Sequence, residues 1–319
     1  MHADAGPIFI SYSHENKPLA LDRLVACLTA GGAETVFDDK CFSGGLPVPG
    51  QMDQHQDRCP RQLLLISPAY LRSKPCRREM ERALARDPKF EQGLVLPLLL
   101  DGLGKDDLPD AIKGPDPLFF NLSAGLPEGE RKSQWSKALA WAGASLGADP
   151  LRWLAARDRV RDYVRGGNSV CLLVDGEGKA WEPLLRNISS PYDPKGELPA
   201  LPRPLDWRED FSLPEARGRI LHGGQPGHPV ADGDEFNQAC RSIEEGCRWV
   251  TFSHFHKVAH KAERGLDVHF WDNMGVLQKE KCLRFVVQTR TRLHQVLQTN
   301  DPRFDPMSSW ASPIGTVEL

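Results

Sequence analysis

Glu79 is the residue whose surroundings first point to chemistry. It stands in the run SPAYLRSKPCRREM, from Ser67 to Met80. If Cys76, Met80, Ala83 and Leu84 form the buried face of a helix over about Lys74 to Arg86, Glu79 lies roughly 60° from Cys76, on the margin of that stripe. A carboxylate so placed is partly desolvated, so its pKa rises or it finds a hydrogen-bonding partner. On composition alone, Glu79 reads first as a solvated helix residue beside Arg78 and Arg82. Tyr12, Ser13 and His14 follow the first apolar run and are placed to line the same pocket. Phe42 sits in a loop rich in Gly and Pro, 39–50, where an aromatic can cover a ligand or pack on a neighbour. Ser67 and Tyr70 precede Glu79 and read as turn and helix-cap residues or as ligand contacts.

These side chains need a scaffold, and the hydrophobic pattern supplies one. Pro7 to Tyr12 (PIFISY) is suited to a buried strand. Leu21, Leu24, Val25 and Leu28 share one helix face, which Gly31-Gly32 ends. Further strands are expected at Glu34–Phe37, Arg61–Ser67, Gly93–Leu100 and Pro117–Leu122, with a last helix over about Arg131 to Leu146. GLVLPLLL, apolar on both faces, is what a central parallel strand requires. Alternating strands and helices imply an α/β fold, an open parallel five-stranded sheet with flanking helices. Ligands in such sheets bind beyond the carboxyl ends of the strands, where the loops after Tyr12, Phe37 and Ser67 must lie.

Three segments resemble the TIR (Toll/interleukin-1 receptor) domain family in order. FISYSHENK (Phe9–Lys17) is similar to its opening strand and turn. The Gly-rich loop after Phe37-Asp38-Asp39 stands where its BB loop does. Ser67–Met80 is similar to its S-P-x-Y-x-x-S-x-W-C-x-x-E-L stretch. LPLLLDG and DLPDAIKG also resemble its fourth strand and following loop. The resemblance covers residues 1–147 and implies cleavage of the nicotinamide–ribose bond of NAD⁺ with Glu79 catalytic. NAD⁺ would be a substrate, with no cofactor and no metal. Substrate contacts are then expected from Tyr12, Ser13, His14, Phe42, Ser67, Tyr70 and Cys76. It further implies self-association through TIR domains and the character of a bacterial antiviral effector. The alternative is a non-catalytic scaffold acting only by TIR–TIR interaction. Two departures stand out. Pro75 replaces the Trp of many enzymatic members, and Leu46–Cys59, with two prolines and no helical periodicity, predicts a second helix that is short or absent.

Residues 148–319 resemble no named family and read as a second α/β or α+β domain that senses a ligand or partner or drives assembly. The pattern predicts a helix at Leu151–Val164, a strand at Ser169–Asp175 and a Pro-rich stretch over Pro183–Pro214. A helix follows at Asp234–Gly246, then strands at Arg248–Ser253 and Asp267–Trp271, and a long helix at Leu277–Gln298. His254, His256 and His260 have no Cys or carboxylate pattern beside them, so no metal site is expected. HGGQPG, His222–Gly227, reads first as a turn rather than a phosphate cradle. Lys279, Lys281, Arg284, Arg290 and Arg292 against Glu280 read as a solvated helix face.

The totals bound these readings. A chain of 319 residues suggests two domains. Residues 1–147 carry 17 Lys/Arg against 19 Asp/Glu and the remainder 23 against 24, which excludes a basic nucleic-acid grip in either half. The eight cysteines include no C-x-x-C pair, as expected of reduced thiols in a cytoplasm. Met1-His2-Ala3-Asp4 has no cationic and apolar run of a secretion signal. The longest apolar segment, Gly93–Leu100, is too short to span a bilayer. A soluble cytoplasmic protein without membrane partners is expected.

Overall fold

The computed structural model describes residues 6–37, 48–173, 184, 205–206, 209, 212–222, 225, 228–242, 248–253, 255, 268–280, 282–289, 296 and 314–318. Phe42 and His254, His256 and His260 lie outside them. The chain divides into two compact units, one ending at Leu154 and the other beginning at Ala155.

The first unit holds an all-parallel sheet of β1 (Ile8–Tyr12), β2 (Thr35–Val36), β3 (Arg61–Ile66), β4 (Val95–Leu99) and β5 (Phe120–Asn121), ordered β2-β1-β3-β4-β5. Every residue of β1 and β4 is buried, as central parallel strands require. Between β1 and β2 runs α1, with Pro18–Val25 in π-helical hydrogen bonding and Ala26–Ala30 in α. Gly32 turns the chain at φ +94°, and Gly31 lets the helix end approach Ala144 so closely that a Cβ would sit 2.8 Å from the Ala144 Cβ. The paired glycines therefore do two different jobs.

Helix α2 spans Val48–Arg58, where the sequence pattern predicted a short or absent helix. Pro49 falls in its first turn, where a missing N–H costs nothing. The helix is held by polar groups reaching it from elsewhere, which no local periodicity reports. Two helices follow β3, α3 (Pro68–Arg72) and α4 (Lys74–Arg86), and after β4 come α5 (Asp110–Lys113) and, after β5, α6 (Glu128–Trp141). Cys76, Met80, Ala83 and Leu84 of α4 pack with Leu64, Ile66 and Leu99 of the sheet.

Helix α7 (Pro150–Arg165) carries the chain from the first unit into the second, which holds a second all-parallel sheet. It comprises β6 (Val170–Leu173), β7 (Leu205–Asp206), β8 (Arg248–Ser253), β9 (Leu283–Thr289) and β10 (Gly315–Glu318), ordered β10-β6-β9-β8-β7. Helices α8 (Leu213–Leu221), α9 (Gly233–Arg241) and α10 (Val268–Lys279) accompany it. Aromatics dominate the core: Phe252 lies 5.6 Å from Phe255 and 5.8 Å from Phe285, ring centre to ring centre, and Trp271 meets Phe255 edge-on at 5.1 Å.

Two expectations fail here. Leu277–Gln298 is not one helix: α10 ends at Lys279 and Leu283–Thr289 is the central strand β9. Leu283, Val286 and Val287 are spaced as on a helix face, but a fully buried strand is apolar on both faces and mimics that spacing. Arg284 is accordingly no solvated helix residue, since its guanidinium donates to the carbonyls of Gly167 and Gln278. Asp267–Trp271 is likewise not a strand. Phe270, Trp271, Met274 and Leu277 are the buried face of α10. Among the described residues no helix is long and apolar enough to cross a membrane, and no group of three His, Cys, Asp or Glu could hold a metal ion.

The turn from α4 into β4 depends on one buried side chain. Asp87 is 1% exposed, and its carboxylate accepts the Gln92 N–H at 3.2 Å and the Leu94 N–H at 3.0 Å. Two bonds to one buried carboxylate stabilise the turn by about 2 kcal/mol. Asp87→Ala should lower the chemical-denaturation stability of the full chain by that amount. An unchanged midpoint would show that the turn is held by something else.

Candidate active site

Helix α4 begins at Ser73, whose Oγ accepts the Cys76 N–H at 3.4 Å, with Pro75 exposed in the first turn. Its buried residues are Cys76, Glu79, Met80, Ala83 and Leu84. They form one core-facing stripe, with Glu79 at its edge and still buried. Only 7% of the residue is exposed.

Burying a carboxylate demands donors, and strand β1 supplies one. Ser11, 1% exposed, donates its hydroxyl to Glu79 Oε2 at 2.5 Å, the length of a charge-assisted O–H···O⁻ bond. Ser11 Oγ also lies 2.8 Å from the Tyr70 hydroxyl. The serine proton is committed to the carboxylate, so Tyr70 donates to Ser11. Burial holds the Tyr70 phenol well above its usual pKa. The Ser11 hydrogen bond partly opposes that rise, and the negative charge of Glu79 reinforces it.

The neighbouring loops are stitched to the same point. Cys76 Sγ donates to the Tyr12 carbonyl at 3.5 Å. Ser67 Oγ accepts the Tyr70 N–H as the cap of α3 and donates to Asn16 Oδ1 at 2.5 Å. Asn16 then donates to Asp101 Oδ2 at 3.2 Å, after β4. The strand order reverses at β1 and β3, since β2 lies outside β1 while β4 and β5 lie beyond β3. The carboxyl ends of β1 and β3 are therefore the topological switch point, where open α/β sheets take their ligands. Glu79 is bound to the last-but-one residue of β1, at that point.

A second stripe of α4 faces α2. Arg78 pairs with Asp53, and Arg82 with Asp53 and Asp57 at 3.4 and 2.7 Å. Arg86 donates to the carbonyls of Gln56 and Cys59 at the end of α2, and Gln62 reaches the same two carbonyls from β3. Gln56, 1% exposed, returns a bond from Nε2 to the Glu79 carbonyl at 2.8 Å. Helix α2 is thus bound to α4 on both sides of Glu79.

Of the residues singled out in the sequence, Tyr12, Ser13, Ser67, Tyr70, Cys76 and Glu79 are brought together and buried. His14 is exposed beside them, its ring 6.3 Å from that of Tyr12. Tyr70 is fully enclosed, so its hydroxyl addresses Glu79 through Ser11. The sequence reading passed over Ser11, Asn16 and Gln56. Ser11 carried a signal, being the one polar residue between Ile10 and Tyr12 in an otherwise apolar strand.

An open parallel sheet with a buried carboxylate at its switch point defines a doubly wound α/β domain with a candidate reaction centre. Residues 8–135 match the family model of the TIR domain, and this part of the chain is a TIR domain. Among solved structures, the chain is similar to the TIR domain of a Toll-related receptor from Hydra magnipapillata, with 14% identity over 43% of this chain and 97% of that one and a TM-score of 0.36. It is also similar to a metazoan TIR-STING receptor from C. gigas in complex with 2',3'-cGAMP, with 19% identity, 52% and 55% coverage and a TM-score of 0.35. The chain spans about half the length of that receptor. A comparison with curated proteins finds no match.

The enclosed phenol makes a prediction about alkaline stability. A raised folded pKa keeps Tyr70 protonated where the unfolded chain ionises, above about pH 10. Its contribution is complete below that pH and falls as pH rises through it. The stability of wild type should therefore drop more steeply from about pH 10 to 11 than that of Tyr70→Phe. Parallel declines in chemical denaturation would contradict the enclosed, protonated phenol.

Proposed function

We propose that the TIR domain of this chain cleaves the nicotinamide–ribose bond of NAD⁺, with Glu79 as the catalytic carboxylate. The observation that carries this reading is the buried Glu79 side chain, held by Ser11 beside the carboxyl ends of β1 and β3. The chemistry suits one carboxylate. The nicotinamide leaves as a neutral molecule from a cationic pyridinium, taking the bonding pair of the C–N bond, so no general acid is required. The ribose carbon left behind is oxocarbenium-like, as in other glycosidic cleavages. A fixed negative charge facing it lowers the barrier, and holding the ribose hydroxyls orients it. Water then bonds to that carbon and releases a proton, giving ADP-ribose, or the adenine attacks to give a cyclic product.

Tyr12, Ser13 and His14 form the rim on which the nucleotide would rest, and Ser67 and Cys76 fix that rim. NAD⁺ is the substrate, and neither a cofactor nor a metal enters the scheme. The second unit serves as sensor or assembly module. A ligand or partner bound there triggers packing of TIR domains against one another, and the activated assembly depletes NAD⁺ in the cytoplasm as an antiviral defence. Support for this wider role comes from the family resemblance of residues 1–147.

Incubating the full chain with NAD⁺ and measuring nicotinamide release tests the core of the reading. Glu79→Gln and Glu79→Ala should lose at least about a hundredfold in rate, the scale of removing a principal electrostatic stabiliser. Equal activity in the variants would remove Glu79 from the mechanism. A wild type that stays inert with crowding agents as well would favour the non-catalytic scaffold.

A further inference from the structure

We propose that Ser11 and Tyr70 are positioning residues for Glu79, forming a two-step hydrogen-bond chain that sets the carboxylate's orientation from within the core. The proposal rests on the NAD⁺-cleavage reading for its catalytic consequence and on the geometry alone for its existence.

The direction of the chain follows from proton counting. An ionised carboxylate only accepts, and a serine hydroxyl has one proton. With that proton 2.5 Å from Glu79 Oε2, the 2.8 Å contact between Ser11 and Tyr70 is made by the tyrosine proton. Raising the phenol pKa keeps that donor loaded. Chains of this kind strengthen each bond, because a hydroxyl that accepts one bond donates the next more strongly.

Each link is anchored independently. Ser11 lies on β1, its backbone in register with Leu64 of β3 and its side chain buried at 1% exposure. Tyr70 is fixed at its backbone by Ser67, which is tied to Asn16, and at its hydroxyl by Ser11. Glu79 is fixed at its backbone carbonyl by Gln56. A glutamate's terminal torsion is broad and needs such a restraint to present one orientation. One turn earlier on α4, Pro75 is exposed, so its ring does not pack over the carboxylate. Among the described groups, the bond that reaches the carboxylate comes from the strand side, from Ser11. On its own helix, Cys76 donates to the Tyr12 carbonyl, and Arg78 and Arg82 pair with Asp53 of α2.

A double-mutant cycle on the full chain tests the order of the links. Tyr70→Phe and Ser11→Ala should each lower kcat for NAD⁺ by about tenfold or more, with KM changed less than about threefold, as expected for misorientation of a bound reactant's partner. Ser11→Ala combined with Tyr70→Phe should be no slower than Ser11→Ala alone, since Tyr70 then has nothing to act through. Tyr70→Phe removes only a hydroxyl and keeps the test available should Ser11→Ala fold poorly. A readout independent of turnover is the carboxyl ¹³C resonance of Glu79 in glutamate-labelled protein, assigned by its loss in Glu79→Gln. It should move in both single variants and no further in the double. Additive losses, an effect on KM alone, or a Glu79 resonance unmoved by Tyr70→Phe would each overturn the proposal. If wild type proves inert while the resonance follows the expected pattern, the positioning chain stands and the NAD⁺ reading falls.

Discussion

The constraint from which the rest of the TIR unit follows is a charge on the wrong face of a helix. Helix α4 turns five residues inward, and the second of them, Glu79, is a carboxylate among Cys76, Met80, Ala83 and Leu84. Such a group is tolerated only where donors are already in place. That requirement fixes a serine on the facing strand and a register that brings Ser11 opposite α4. The short helix α3 then delivers the Tyr70 hydroxyl to the same serine. The polar residue in β1 is therefore no flaw in an apolar strand. It is the counterpart of the polar residue in α4.

Helix α4 meets two neighbours by different physics. Its inward stripe packs on the sheet by apolar burial, while Arg78, Arg82 and Arg86, at successive turns, hold α2 through carboxylates and terminal carbonyls. Exposed ion pairs of this kind add little stability individually. Arg86 adds direction, because its guanidinium meets the carbonyls at the end of α2 and the negative end of its dipole. Gln56 and Gln62 complete the seam with buried amides. Glu79 thus sits on a helix braced from both sides, which is what a group needing one orientation requires.

How much of this was legible depended on whether a feature is local. The strands of the first sheet and helix α4 announce themselves by periodicity, and the segments FISYSHENK and SPAYLRSKPCRREM identify the domain. Helix α2 does not, because it is secured by Arg86 from α4 and Gln62 from β3, and VPGQMDQHQDR has no apolar stripe of its own. Strand β9 was concealed for the opposite reason. LRFVVQT is buried on both faces, and spacing alone cannot separate that from a helix. In the site, Glu79, Tyr70 and Cys76 were visible from the motif. Ser11 was not weighed, because its importance arises only from the residue that α4 places against it, 68 positions later.

The energetics bear on which kind of protein this is. A domain that only packs against its own kind needs apolar cores and complementary surfaces. At position 79 a Met or Leu would complete the α4 stripe without calling on Ser11 or Tyr70. Replacing a buried ionic arrangement by apolar groups of similar volume is commonly neutral or stabilising. The arrangement here is costlier than the fold requires, and it stands beside the strand ends where ligands enter open α/β sheets. Local violations of folding rules concentrate where a protein does chemistry. The buried carboxylate and its two-step support are such a violation, and the proposed NAD⁺ cleavage gives them a purpose that recruitment alone does not.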